Sequence, residues 1–270
     1  MLTVLTWLWA QPSCRTQYNH RHVNIWAAMI RRHLTIPHRI ACVTDIPEGI
    51  EPGIDIIRPP GEFAGMHTSR WPREKPSCYR RIAMFRKDAA DIFGERFVQI
   101  DLDVVIGGNM DSLFDVPDDL MLFRGTSEKR PYNGSMTLMT AGCRPHVYET
   151  FTFEAAENAS RMYVGSDQAW MMHSLGPGEK TWGPEHGVHW FGSSYQKAPP
   201  AADDLRMLFF PGRIKPWSMP YKDSWINHHY RDAERFDPSR VRPQTGPRPV
   251  RNPPQSLRQR SRGATGPRRV

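Results

Sequence analysis

The chain has 270 residues, 39% of them hydrophobic and 24% charged, enough for one large or two small domains with a real core. It has no apolar run of about 18 residues, which excludes a membrane span as an expectation. Its four cysteines (Cys14, Cys42, Cys78, Cys143) form no CxxC pair, which argues against a zinc site and suits a reducing compartment. The formal charge of +8 is local: from Pro238 onward there are nine Arg and no Asp or Glu, leaving −1 for residues 1–237. A near-neutral body weakens the case that the domain itself grips nucleic acid.

The opening "MLTVLTWLWA" has no Lys or Arg ahead of its apolar part, so it lacks the basic start of a signal peptide and reads as a first buried strand. "HVNIWAAMIRRHL" spaces Val23, Trp26, Ala27 and Ile30 as one face of an amphipathic helix. "HRIACVTD" and "GIDIIRPP" predict a second and third strand, the latter stopped by Pro59 and Pro60. After a Pro-rich loop, "YRRIAMFRKDAADIF" places Tyr79, Ile82, Phe85, Ala89 and Phe93 on one face of a single helix that ends at Gly94. "RFVQIDLDVVI", residues 96–106, predicts a fourth strand. Alternating strands and helices imply an α/β fold with a mainly parallel central sheet flanked by helices. Ligands of such sheets bind beyond the carboxyl ends of the strands.

That fourth strand contains Asp101 and Asp103 amid apolar residues. On a strand, residues i and i+2 share a face, so the carboxylates would lie roughly 7 Å apart and repel by roughly 2 kcal/mol at an effective dielectric near 20. No Lys or Arg on the same strand face relieves this. Three arrangements would: an exposed strand end, a divalent cation bound by both acids, or a phosphatase of the haloacid dehalogenase type. In the last, Asp101 would be the nucleophile and Asp103 the general acid. That motif needs an acidic pair after a later apolar strand, whereas Asp203 and Asp204 precede "LRMLFF".

Further along, "LDVVIGGNMDSLFD" runs through a turn into a short helix carrying Leu113 and Phe114. "RPYNGSMTLMTAG" puts Asn133 just before an apolar strand, and "YVGSDQAWMM" puts Asp167 and Gln168 at a helix start. "FFPGRIKPW" presents Lys215 from a turn containing Gly212. Taken in order, DxD, Asn, DQ and GxxKPW make the chain resemble glycosyltransferase family 8 and its bacterial relatives, over residues 2 to 217. These are GT-A enzymes related to glycogenin and to bacterial galactosyltransferases.

The resemblance implies a Rossmann-like nucleotide-sugar-binding fold and a hexosyltransferase that transfers a sugar, with retention, from a uridine diphosphate sugar. Asp101 and Asp103 would hold Mn²⁺ or Mg²⁺, which would neutralise the donor diphosphate. Lys215 matches the cation on the diphosphate, a role suited to a point charge. Thr6, Tyr18, Arg81, Leu102 and Gly212 match positions around the donor. Asn133, Asp167 and Gln168 match those near the transferred sugar and the reacting face. The acceptor, a carbohydrate, lipid or protein, is not indicated; residues 170–235 carry no readable pattern. Trp71 and Trp182, in Pro/Gly-rich loops, are candidate platforms for it. One position departs from the family. Where its last motif carries a metal-binding His, this chain has Phe209 and Pro211, which implies weaker metal affinity and less preference for Mn²⁺ over Mg²⁺. His186 and His189 read as surface or core residues rather than substitutes. An inactive sugar- or nucleotide-binding relative therefore stays open as an alternative.

Residues 1–235 are expected to form the GT-A-like domain. Residues 236–270, rich in Pro and Arg, are expected to be a disordered tail. The tail is a candidate contact for an anionic surface, and the expected location is cytoplasmic, with the inner membrane face within the tail's reach.

Overall fold

A computed structural model describes residues 1–219, 224–231 and 233. Met1–Phe236 makes one compact unit. The expectations placed on the basic tail lie outside the described residues.

The chain opens with strand β1 (Leu2–Leu8), buried along its whole length. That near-continuous apolar run is what a strand covered on both faces needs. Helix α1 (His20–His33) starts at Asn19, whose side chain accepts from the Arg21 amide, and buries Val23, Trp26, Ala27 and Ile30 as the spacing predicts. Strands β2 (His38–Thr44) and β3 (Asp55–Ile57) then extend the sheet.

The single helix expected over residues 79–93 is not one. A 3₁₀ helix spans Tyr79–Phe85, and α2 is only Ala89–Phe93. Between them Arg86 is extended (φ −63°, ψ 149°), and its guanidinium is drawn to Glu62 and Asp88. The apolar spacing persists because Tyr79, Ile82, Phe85, Ala89 and Phe93 still enter one core, but the backbone between them is broken.

The predicted fourth strand is also divided. β4 (Arg96–Ile100) ends before the first acid, and β5 (Val104–Ile106) begins after the second and joins a different sheet. α3 (Asp111–Phe114) follows, then β6 (Leu120–Ser127) and β7 (Arg130–Thr140). Asn133 lies within β7 rather than ahead of it, because the strand runs back through Arg130 to pair with β6. Helices α4 (His146–Glu149), α5 (Phe153–Met162) and α6 (Asp167–Leu175) come next. β8 (Lys180–Trp182), β9 (Val188–Trp190), α7 (Ser193–Lys197) and β10 (Met207–Phe209) follow.

The large sheet has the order β3-β2-β1-β4-β7-β6-β8. β3, β2, β1 and β4 are mutually parallel, and β7 runs against both β4 and β6. A small sheet, β5-β10-β9, holds the other end of the acidic segment. Two apolar clusters form the core. One joins α1 to the small sheet, and the other gathers Tyr79–Phe93 with α4, α5 and α6. This is the mixed α/β architecture with a mostly parallel central sheet that the sequence predicts. No described helix is long and apolar enough to cross a membrane.

Candidate active site

Asp101 and Asp103 occupy the gap between the two sheets, not the interior of a strand. The Asp101 amide donates to Ser135 O (2.8 Å), which ties it to β7, and the Phe210 amide donates to Asp103 O (2.9 Å), which ties it to the end of β10. The strand argument for their spacing therefore does not apply. Their charge is relieved by cations distant in sequence.

Arg81, buried in the 3₁₀ helix, donates from one terminal nitrogen to Asp101 Oδ1 (2.5 Å) and to Gly134 O (3.0 Å). Its Nε lies 2.9 Å from Asp167 Oδ2 as an ion pair, without the alignment of a hydrogen bond. Burial opposes its charge, yet Asp101 and Asp167 outweigh that and keep the guanidinium firmly protonated. Gln99 Nε2 also donates to Asp101 Oδ1 (2.9 Å). Lys215 donates to Asp103 Oδ2 and to Phe210 O (2.8 Å), and Tyr18 donates to Asp103 Oδ2 (3.1 Å). Burial pushes the Asp103 carboxyl up from its usual range, and Lys215 pulls the other way. Burial likewise raises the Tyr18 hydroxyl, assisted by Asp103 and Asp101, so it stays a donor.

Asp167 opens α6 from a buried position beside Ser166, whose Oγ donates to its Oδ1 (3.3 Å) and accepts from the Cys78 amide (3.1 Å). Burial raises its carboxyl, against the pull of Arg81. Gly134 is required here: a Cβ at that position would come within 2.9 Å of Asp167 Oδ2. Asn133 Oδ1 accepts from the Ser135 amide (2.7 Å), and Gln168 Nε2 donates to Val164 O (3.1 Å).

These groups line a cleft of about 230 Å³ that contains Tyr18, Arg81, Asp101, Leu102, Asp103, Asn133, Asp167, Gln168 and Lys215. Two predicted donor residues are not in it. Thr6 is fully buried within β1, where its hydroxyl finds no partner among the described residues; Trp7, Leu8 and Trp9 reach the cleft instead. Gly212 does not line it either, and a Cβ there would meet nothing within 4 Å among the described residues, so no close approach to them demands a glycine. Of the two candidate tryptophan platforms, Trp71 lines the cleft. Trp182 is buried, donates to Leu113 O (3.2 Å) and packs on Phe114 as a core residue. Asp203 and Asp204, the pair a phosphatase would require, are exposed and outside the cleft. Sequence reasoning missed Gly134, Ser166 and Arg130. The first two flank residues it did select, Asn133 and Asp167, and a search for small residues beside those positions would have found them.

The donor set can be tested against a metal ion. Among the described residues no group of three His, Cys, Asp or Glu could hold one. Phe209 lies buried against Phe123, ring centres 4.8 Å apart, and supplies no ligand. Asp101 Oδ2 and Asp103 Oδ1, however, accept no hydrogen bond among the described residues; the protein donors converge on the other oxygen of each acid. Two carboxylate oxygens suit a hard cation whose remaining ligands are phosphate and water. The residues fit an ion that arrives with a phosphorylated ligand.

No protein-family model matches the chain, and no curated protein matches it. Solved structures do match in fold. The galactosyltransferase LgtC, in complex with donor and acceptor sugar analogues, is 12% identical with a TM-score of 0.57, over 86% of this chain and 95% of that one. The glycosyltransferase GlyE of Streptococcus pneumoniae TIGR4 is 13% identical with a TM-score of 0.56, over 88% of this chain and 62% of GlyE. The chain therefore has the GT-A fold of these glycosyltransferases.

Proposed function

We propose that a protein with this fold and this cleft is a retaining glycosyltransferase that moves a sugar from a nucleotide diphosphate sugar, a uridine diphosphate sugar by the resemblance, to a saccharide-bearing acceptor. The observation that carries the reading is the convergence of Asp101, Asp103, Arg81, Asp167 and Lys215, from four separate segments, in one cleft. Three acids held against two buried cations are expensive to assemble for structure alone.

Asp101 and Asp103 would hold Mn²⁺ or Mg²⁺ through their free oxygens. When bound, such an ion supplies positive charge to the donor diphosphate and helps it leave. Lys215 would turn from Asp103 to the diphosphate as it enters, and Tyr18 would keep Asp103 oriented. Arg81 fixes Asp101 and Asp167 relative to each other, so the diphosphate end and the sugar end keep one geometry. Asn133, whose side-chain NH₂ donates to nothing among the described residues, and Gln168 would position the sugar. The Asp167 carboxylate would stabilise positive charge developing on its ring.

The test is calorimetric titration of uridine diphosphate into the full chain with Mn²⁺, with Mg²⁺ and with a chelator, alongside hydrolysis of uridine diphosphate hexoses. We expect affinity that rises with either metal, slow donor hydrolysis, and loss of hydrolysis in Asp103→Asn. Affinity unaffected by metal would remove the ion from the reading, and no nucleotide binding at all would remove the reading. Binding without any turnover would favour the inactive relative, to which Phe209 lends support.

A further inference from the structure

Arg130, at the first position of β7, lines the cleft and is unlike the other partly buried arginines of this fold. Every other arginine that is at least partly buried among the described residues has an acceptor. Arg31 has Glu51, Arg39 has Asp55, Arg80 has Asp45, Arg86 has Glu62, and Arg144 has Glu179. Arg96 reaches the carbonyls of Val116 and Asp118, Arg206 reaches Ser112, and Arg231 reaches Asn227. Arg130 has none: its Nε is buried without a hydrogen bond, and its side chain meets no acid among the described residues. Burial pulls its guanidinium below the usual range, and no carboxylate opposes that pull. A guanidinium left half-buried and unpaired on a ligand cleft is a charge awaiting its counter-ion.

Its place in the cleft says which part of a substrate it would meet. Lys215 pairs with Asp103, and Arg81 pairs with both Asp101 and Asp167, the residue just before Gln168. Gln168 holds Val164 O, and the Val164 amide donates to Lys129 O (2.9 Å), next to Arg130. Arg130 is thus joined through its neighbour Lys129 to Gln168, a residue proposed to position the sugar, and it makes no contact with Lys215 among the described residues. We propose that Arg130 binds an oxyanion, a carboxylate or a phosphate, carried by the acceptor, so that the preferred acceptor is an acidic saccharide or a sugar phosphate. A guanidinium fork matches either group with paired hydrogen bonds. The proposal rests on the reading of the cleft as a sugar-transfer site.

The test uses the full chain saturated with uridine diphosphate. Methyl β-D-glucuronide, glucose 6-phosphate and the neutral methyl β-D-glucoside are titrated in by ligand-observed nuclear magnetic resonance. We expect at least one acidic probe to bind about tenfold more tightly than the glucoside. Arg130→Ala and Arg130→Gln should erase that advantage and Arg130→Lys restore part of it, with melting temperature and uridine diphosphate affinity as controls for an intact site. Glucuronide and phosphate arms tell a carboxylate from a phosphate. Equal binding of acidic and neutral probes, or an advantage that survives in Arg130→Ala, overturns the proposal while nucleotide binding leaves the sugar-transfer reading standing. A parallel titration of uridine diphosphate glucuronate against uridine diphosphate glucose completes it. An Arg130-dependent preference there places the anion on the donor sugar and overturns the acceptor assignment.

Discussion

Lys215 and Asp103, 112 residues apart in sequence, form a buried ion pair at the floor of the cleft, and both side chains are almost fully withdrawn from solvent. Withdrawn charges of this kind are sustained only by each other and by the few neutral groups around them.

Lys215→Ala therefore leaves Asp103 buried with only the Tyr18 hydroxyl. The expected loss of stability is about 3–5 kcal/mol by chemical denaturation. Adding Asp103→Asn to the same protein should recover much of that loss, because an amide needs no counter-charge. Neither variant should bind uridine diphosphate as the parent does. A Lys215→Ala protein as stable as the parent would show that the pair contributes nothing to folding.

Arg81 serves Asp101, Gly134 O and Asp167 from one planar group. Lysine keeps the charge but not the fork. Arg81→Lys should fold, and its turnover should fall on the order of 10²-fold, since the two acids lose their fixed separation. Turnover within threefold of the parent would mean that charge alone suffices there.

The backbone of Gly134 lets Asp167 and Arg81 meet. In Gly134→Ala the new methyl would force Asp167 aside. Turnover should drop about tenfold or more while uridine diphosphate affinity, governed at the other end, changes little. A parallel loss of nucleotide affinity would indicate that the displacement spreads through the whole cleft.

A fourth expectation concerns pH and lies away from the cleft. His33, near the end of α1, is pulled down to about 4 by burial and by Arg32. An unfolded histidine titrates near 6.5. Between these values the unfolded chain takes up a proton that the folded chain refuses. The stability from a neutral His33 is thus complete above pH 6.5 and is lost as pH falls through 4. Melting temperatures at pH 7 and pH 4.5 should diverge more for the parent than for His33→Gln; equal drops would assign the acid sensitivity elsewhere.

Much of this fold is legible in the sequence because burial leaves a periodic trace. The apolar run of β1 and the spacing of Val23, Trp26, Ala27 and Ile30 are such traces. What is not legible depends on partners far away in the chain. Nothing near Asp101 or Asp103 announces Arg81 or Lys215, so two acids in an apolar run look like a strand when they are the place where one ends. The helix breaks at Arg86, which is extended and paired with Glu62 and Asp88, and periodicity does not register that. Thr6 and Gly212 match by motif position, yet β1 runs on to Leu8 and leaves Thr6 inside the sheet, and a turn glycine need not be close to anything. Arg130 left no local signal, since its distinguishing property is the lack of a partner.

The chain changes sheets at Leu102, so the two carboxylates are held by different sheets: Asp101 is anchored to β7 and Asp103 to the end of β10. Their separation is accordingly a caliper on the alignment of those two sheets. A substitution that slid the small sheet against the large one, even deep in the apolar contact between them, would be felt at the mouth of the cleft as a change of carboxylate spacing with every cleft side chain unaltered.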